Sequence, residues 1–474
     1  MASIAVMTVS DGRPSVHADV EDFALGVQTR IADALVELGH DVRVAPEPIT
    51  SNAVAVRTAR WAADQRPDLT LVNIPVWAFP HFTVIAARET DGPLALFSNV
   101  DPAYPGMVGM LAAGGALDAL GIDHARAWGD VGDGDVRARL DALARAGAAV
   151  RGLRGTTFGR VGGRPMGMYT AVSSSDQWLT QFGVDVEEVD QYELIRRARE
   201  VDPDRMRAGR EWLERHAAGV HYDGDRLTPA KLERQVATYH AMRDLVDDLH
   251  LDFCGIKGQP EMTNYECTMD VAEAFLNDPY DWEGPKDPIV CSTEADMDAA
   301  LTMQLLKPLG GGKPVLFADM RCHHADLDVW DLCNSGQHAT WFAARDDDPA
   351  VNMQHVHLYP EDFYFPAGGA SIHHRAAPGA MTFARLSRRD GRYRMQVIRG
   401  AFEALGEETE ERLMRASTYV WPHAFARFEA DAGEVLARYG SNHVHAIPGD
   451  HVGALREVCR FLDVEFDGFG AAGS

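Results

Sequence analysis

The amino-acid sequence predicts a mixed α/β protein: two doubly wound domains with parallel sheets, followed by a strand-rich C-terminal part. Three observations carry that expectation. From Ile4 to about Gly152, short apolar runs alternate with longer segments whose apolar residues recur at helical spacing. A second alternating region ends at the Gly310-Gly311-Gly312 turn. From Lys313 on, aromatic residues and period-two alternation replace that pattern. The expected domains are therefore 1–152, 153–312 and 313–474.

The first domain opens with an expected strand from Ile4 to Val9. A helix over Asp19 to Leu38 follows, with Phe23, Val27, Ile31 and Leu35 on one face. Strands are then expected at Asp41 to Ala45, Leu69 to Val76 and Leu94 to Ser98, and helices at Asn52 to Asp64, Gly106 to Leu120 and Asp135 to Gly147. No GxGxxG follows the first strand, which weakens a dinucleotide-binding reading. The turns after the strands carry Asp11-Gly12-Arg13, Trp77 and Asn99. Asp11 and Asn99 are ordinary turn residues. An arginine and an indole at the edge where open α/β sheets bind ligands are harder to assign to turn chemistry.

The second domain begins with a glycine-rich run, Gly162-Gly163-Arg164-Pro165-Met166-Gly167, read as a tight strand-to-loop crossing. A long helix is expected over Pro229 to Leu249, its stripe of Leu232, Val236, Tyr239, Met242 and Val246 belonging to the core. A strand over Asp252 to Ile256 leads into Lys257-Gly258-Gln259. In the C-terminal part, Met381 to Leu386 and Arg392 to Gly400 alternate like antiparallel strands, and Asp450 to Leu462 reads as a closing helix.

The stretch from Cys291 to Arg321 carries the chemistry. It reads as a strand (Pro288 to Ser292) ending at Glu294, a helix over Ala295 to Lys307, and a strand (Val315 to Ala318) ending at Asp319. Were the two strands neighbours, the carboxylates would emerge a few ångströms apart and repel unless a proton or a cation lay between them. That suits a divalent metal or an acid/base pair. The plain alternative makes Glu294 a helix N-terminal anion and Asp319 a loop residue. Two carboxylates and one imidazole would suit Mn²⁺, with Co²⁺, Fe²⁺ or Mg²⁺ also compatible. His323, His324, His355, His357, His373, His374 and His443 compete for the third position, and spacing alone leaves the choice open. No HExxH and no Cys/His cluster at zinc spacing occurs.

Composition narrows the partners. Lys and Arg number 45 against 71 Asp and Glu, a net charge of −26, which argues against nucleic acid and acidic membranes. No apolar run is long enough to span a bilayer, and the N-terminus lacks a basic leader. Six scattered cysteines without a CxxC pair read as reduced core residues of a cytoplasmic protein.

The order of several short motifs resembles the L-fucose isomerase family, within the wider L-fucose/L-arabinose isomerase fold. They are Asp11-Gly12-Arg13, Pro75-Val76-Trp77, Gly162-Gly163-Arg164-Pro165-Met166-Gly167, Lys257-Gly258-Gln259, Ala272 to Asp278, Ser292-Thr293-Glu294-Ala295-Asp296, Phe317-Ala318-Asp319-Met320-Arg321, Asn334-Ser335-Gly336 and Asn442-His443. The resemblance implies two α/β domains and a C-terminal domain containing an antiparallel β-barrel. It implies Glu294, Asp319 and His443 as Mn²⁺ ligands, with Glu294 and Asp319 also the proton-transfer pair. Gln259, Trp421 and Asn442 are implied as sugar contacts. Arg13 and Trp77 are implied to reach the active site of a neighbouring subunit, so that a homo-oligomer shares its active sites. The implied activity is aldose-ketose isomerisation of a free sugar through an ene-diolate.

The chain departs from the family where a Gly-rich tyrosine loop is expected: it reads Ala367-Gly368-Gly369-Ala370-Ser371-Ile372-His373-His374-Arg375. His373, His374 and Arg375 would suit an anionic or more polar sugar terminus, or they form an exposed basic loop. Two other functions compete. A non-catalytic sugar-binding protein has no need of the carboxylate pair, and a nicotinamide-dependent dehydrogenase needs the missing glycine fingerprint.

Overall fold

The computed structural model describes residues 1–335, 338–362 and 364–473. The chain divides into two compact units, Met1–Gly152 with Gly453–Val464, and Leu153–Val452 with the segment from Glu465 on.

The first unit is a five-stranded parallel sheet. Its strands β1 (Ser3–Thr8), β2 (Asp41–Val44), β3 (Leu69–Asn73), β4 (Leu94–Ser98) and β5 (Ala125–Trp128) lie in the order β2-β1-β3-β4-β5. Strands buried on both faces read as continuous apolar runs, as β3 and β4 do. The first helix spans Pro14–Glu37, starting before the expected Asp19 because Pro14 presets the backbone at the helix's opening position. The strand at Leu69 ends at Asn73 rather than Val76, since Pro75 has no N–H to donate to a ladder. β5 and the helix Pro80–Glu89 were not expected; β5 has only four residues, one of them Arg126. The late helix Val452–Phe461 supplies Phe461 to this unit's core and Glu457, whose Oε1 accepts from Arg139 Nη1 at 2.7 Å.

The second unit holds the remaining strands. They are β6 (Thr157–Val161), β7 (Asp185–Val189), β8 (Gly219–Val220), β9 (Phe253–Ile256), the short hairpin β10 (Tyr280–Asp281) and β11 (Gly284–Pro285), β12 (Cys291–Thr293), β13 (Leu316–His324), β14 (Val329–Cys333), β15 (His357–Pro360), β16 (Ala370–His373), β17 (Gly379–Arg389), β18 (Arg392–Phe402), β19 (His423–Phe428), β20 (His443–Pro448) and β21 (Glu465–Gly468). A four-stranded parallel sheet has the order β12-β9-β6-β7. A large mixed sheet has the order β17-β20-β13-β14-β19-β18-β21, and β17 also pairs with β18 through a hairpin whose turn is Asp390-Gly391. A small sheet, β16-β15-β8, lies beside them in the chain's pairing scheme.

Two expectations about the central stretch are corrected here. β12 and β13 are not neighbours: the helix between them, Met297–Leu309, leads out of the parallel sheet into the mixed one. Asp319 is not past a strand end either, because β13 continues to His324 by pairing antiparallel with β14. The reading of His373-His374-Arg375 as an exposed basic loop holds for Arg375 alone, which is exposed. Ala370–His373 is a buried strand, with His373 6% and His374 1% exposed.

Alternation in the mixed sheet separates two faces. Leu316, Ala318, Trp330, Leu332, Ala424, Ala426, Val444 and Ala446 share one apolar core. Their odd-numbered neighbours point the other way. Register therefore lines up His443, Asp319, Cys333 and His423 as a row across four adjacent strands.

β9 and β12 approach so closely that a Cβ on Gly255 would lie 2.5 Å from Ser292 Oγ and 3.0 Å from the Ala295 backbone. Gly255→Ala is expected to destabilise the chain by about 1–3 kcal/mol through overpacking, read as a lower thermal midpoint.

Candidate active site

Three elements meet at His443. Its Nε2 lies 3.1 Å from Oε2 of Glu294 and 3.6 Å from Oδ1 of Asp319, while its Nδ1 is 2.6 Å from Oδ2 of Asp296. The imidazole is wholly buried, Glu294 is 6% exposed, and Asp319 is half-buried. Thus two residues from adjacent strands of the mixed sheet, Asp319 and His443, face one from the turn after β12.

That turn is unusual. Glu294 and Ala295 both have left-handed backbones, with φ of 57° and 47°, a conformation that costs a non-glycine residue on the order of 1 kcal/mol or more. The helix starts two residues later than expected because Asp296 caps it, its Oδ1 accepting from Ala299 N at 3.0 Å. The left-handed pair turns Glu294 toward His443 before the helix begins.

Asp296 does more than cap. Its carboxylate is fully buried and accepts from Arg385 Nη2 at 3.1 Å, with Nη1 2.9 Å away as an ion pair. Burial works against its charge, but the Arg385 guanidinium and the His443 imidazole hold its pKa well below the usual carboxylate range. An ionised Asp296 only accepts, so His443 Nδ1 carries the proton and Nε2 is aimed at the carboxylates. Sequence reasoning did not give Asp296 or Arg385 a role. The available signal for Asp296 was its cap position two residues after Glu294; Arg385 offered none.

Burial pushes the His443 imidazole down, but contacts with Asp296 and Glu294 and the charge of Asp319 outweigh it and lift the pKa to about 10. Asp319 is raised by burial and by Glu294, against the pull of His443. Neither His443 Nε2 nor Glu294 Oε2 makes a hydrogen bond among the described residues, although both are buried. Buried atoms of this kind need a partner. A divalent cation among Nε2, Oε2 and Oδ1 would satisfy them, and the two-carboxylate, one-imidazole donor set fits Mn²⁺ or a similar metal. The Asp296 contact to Nδ1 is the outer-shell support that such histidines commonly have.

Among the other expected residues, Asn442 touches the cluster directly. Asn442 donates from Nδ2 to Asp319 Oδ1 at 2.9 Å. Gln259 follows β9, the strand paired with β12. Trp421 is 7% exposed, and the guanidinium of Arg321 stands 5.5 Å from its ring centre. Arg13, in the first unit, is 59% exposed and clamped by Asp11 at 2.6 Å; Trp77 is half-buried in the loop after β3. His373, His374 and Arg375 line a cavity of about 570 Å³ together with His357, Tyr359 and Glu410, a lining that includes none of Glu294, Asp319 and His443. Arg375 is ion-paired there with Glu410 at 2.9 Å. Gly336 of the Asn334-Ser335-Gly336 motif lies outside the described residues, whereas Ser335 Oγ donates to Asp270 Oδ1 at 2.8 Å.

That bond opens onto a second acidic pair. Trp421 Nε1 donates to Glu361 Oε1 at 2.8 Å, and Glu361 and Asp270 are each 1% exposed. Burial and the charge of Asp270 push Glu361 well above the ordinary range. Burial thus favours the neutral form of the Glu361 carboxyl that holds the indole.

Family models for three successive domains match this chain: L-fucose isomerase, first N-terminal domain, over residues 1–155; its second N-terminal domain over 250–311; and its C-terminal domain over 332–469. The L-fucose isomerases of Escherichia coli O9:H4 (strain HS), strain K12 / DH10B and O157:H7 (strain EC4115 / EHEC) are each 24% identical to it over 538 aligned residues, covering 96% of this chain and 90% of the relative. The protein is an enzyme, an aldose-ketose isomerase of sugar metabolism. It belongs to the L-fucose isomerase family. Glu294 falls in the second match and His443 in the third, while Asp319 lies in the interval between them.

Two substitutions test the supports. Asp296→Asn leaves Arg385 buried without its counter-ion, and a loss of about 3–5 kcal/mol in unfolding free energy is expected from denaturant titration. Glu361→Gln keeps an acceptor for Trp421, so its stability stays near wild type, whereas Glu361→Leu strands the indole N–H and loses about 1–3 kcal/mol.

Proposed function

We propose that the chain is a metal-dependent aldose-ketose isomerase acting on a free sugar through an ene-diolate, with Glu294, Asp319 and His443 holding the cation. The observation that carries this reading is the convergence of three ligand-type atoms, two of them buried without hydrogen bonds, on one point. The donor set favours Mn²⁺, and Co²⁺, Fe²⁺ or Mg²⁺ are compatible. When bound, the cation supplies positive charge beside the two oxygens that exchange carbonyl and hydroxyl character.

The residues of the chain do the rest. Isomerisation moves a proton from the carbon next to the carbonyl to the neighbouring carbon. Glu294 and Asp319 are the acid/base groups in reach, and carbon-to-carbon transfer needs one of them to take and return that proton. Asn442 fixes Asp319 Oδ1, and Asp296 fixes the His443 ring, so both ligands are set before substrate arrives. Trp421, held by Glu361, offers an aromatic wall for the C–H face of the sugar and helps exclude water; Gln259 and Asn442 are the proposed hydroxyl contacts.

Arg375 is already neutralised by Glu410, which favours a neutral aldose over an anionic one. By the family resemblance, Arg13 and Trp77 are assigned to the active site of a neighbouring subunit in a homo-oligomer; the exposure of Arg13 supports that role. The sheet pairing that returns from β18 to β17 supports reading six strands of the mixed sheet as a small barrel. Six free thiols support a reducing, cytoplasmic compartment.

The test is ketose formation from a panel of aldoses on protein stripped with chelator and reloaded with Mn²⁺. Turnover is expected only after reloading, and Glu294→Gln is expected to lower it by about 10²–10⁴-fold while sugar binding persists. No turnover of any aldose would overturn the reading. With the His443 pKa lifted to about 10 by its acidic neighbours, cation uptake at neutral pH expels a proton. Calorimetry should therefore show proton release, with affinity rising roughly tenfold per pH unit from about pH 7 toward pH 10 and levelling off above it.

A further inference from the structure

Beyond the cluster at His443, the bulge in β13 builds a second group of ligand-type side chains. Met320 pairs with Leu332 and Cys322 with Asp331, so Arg321 is the extra residue in the ladder. That insertion reverses the alternation. Cys322 and His324, which would otherwise face the apolar core with Leu316 and Ala318, join the face that carries Asp331.

The result is compact. Cys322 Sγ lies 3.4 Å from His324 Nε2, and these atoms and a carboxylate oxygen of Asp331 are all within 4.8 Å of one another. Tetrahedral zinc, with bonds of about 2.3 Å to sulfur and 2.0–2.1 Å to nitrogen, sets those two ligands roughly 3.6 Å apart. Asp331 is wholly buried; its Oδ1 pairs with His423 Nδ1 at 2.8 Å, but its Oδ2 has no hydrogen-bond partner among the described residues. A buried carboxylate oxygen without a donor, beside a thiol and an imidazole, is costly unless something positive meets it. Cys322 and His324 are half-buried, which leaves room for a solvent ligand in the fourth position.

The neighbouring trio of Asp331, Cys333 and His423 is also close. It is excluded because both nitrogens of His423 already face acceptors, Asp331 Oδ1 and, at 3.1 Å, the Thr418 carbonyl. His423 serves instead as the outer-shell partner that orients the carboxylate.

We propose that Cys322, His324 and Asp331 bind a borderline-soft divalent cation such as Zn²⁺. Sulfur, nitrogen and oxygen ligands separate this site from the oxygen-rich one at His443, which contains no thiolate. A cation here ties β13 to β14 across the bulge, three residues beyond Asp319.

The test uses the full chain, stripped with chelator and loaded with Co²⁺ as a spectroscopic probe. A thiolate-to-cobalt charge-transfer band is expected in wild type. It should vanish in Cys322→Ser and His324→Ala, each binding one cation fewer per chain, and persist in Cys333→Ser. The His443 cluster cannot produce that band, so the outcome does not depend on the proposed catalytic metal. Absence of the band in wild type overturns the proposal, as does a band that survives Cys322→Ser or disappears with Cys333→Ser. On wild type, Zn²⁺ should slow alkylation of Cys322 by about tenfold or more, because a ligated thiolate is a poor nucleophile; an unchanged rate also overturns it.

Discussion

The rest of the site depends on the buried contact of Asp296 with Arg385 and His443. All three side chains are 0–1% exposed, and the carboxylate serves three donors at once: the guanidinium, the imidazole and the first turn of the helix Met297–Leu309. Isolated, each charge would be expensive to bury; together, with the Thr170 carbonyl accepting from Arg385 at 3.0 Å, their donors and acceptors are largely matched. The contact joins the turn after β12 to two strands of the mixed sheet. It fixes where the helix begins, hence where the left-handed pair Glu294-Ala295 must turn, and it fixes which nitrogen of His443 faces Glu294 and Asp319.

A single extra residue shapes the other side. The bulge at Arg321 leaves Asp319 in register with His443 and Cys333 on one side while reversing the alternation beyond it. It also frees Arg321 to reach out of the ladder, where its Nη2 donates to Thr418 Oγ1 at 3.1 Å and its guanidinium stands over Trp421. Bulges re-aim side chains and sharpen local twist. Here one bulge affects a proposed metal ligand, an aromatic wall and the Cys322-His324 face together.

Negative charge is concentrated around this region. Glu273, Asp270 and Glu361 are buried near Glu294 or near one another, and burial raises the pKa of each. At the Asp270-Glu361 pair, burial favours the neutral carboxyl. The Glu294-Asp319 pair has the His443 imidazole between its carboxylates, and the same three atoms suit a cation. The two solutions differ because His443 stands at one pair, whereas the other is flanked by Ser335 and the Trp421 indole, which contribute only neutral donors.

The α/β class, the long helix starting at Pro229 and the hairpin strands after Met381 were legible in the sequence, because hydrophobic period is a local property. Glu294 and Asp319 were singled out as strand-end carboxylates, although Asp319 lies within β13. His443 stood among seven histidines by spacing alone; the family resemblance singled it out, and the register of β20 against β13 shows it facing Asp319. Asp296 and Arg385 lie 89 residues apart, so no local pattern could join them. The same holds for the burial of His373 and His374, which a glycine-rich basic stretch disguised, and for the face to which Cys322 belongs. Alternation read from the chain puts Cys322 with the core, and only the ladder reveals the inserted residue that turns it away. Periodicity determines what each segment can become, whereas register and long-range charge pairing, which exist only once the strands have met, decide which side chains share a site.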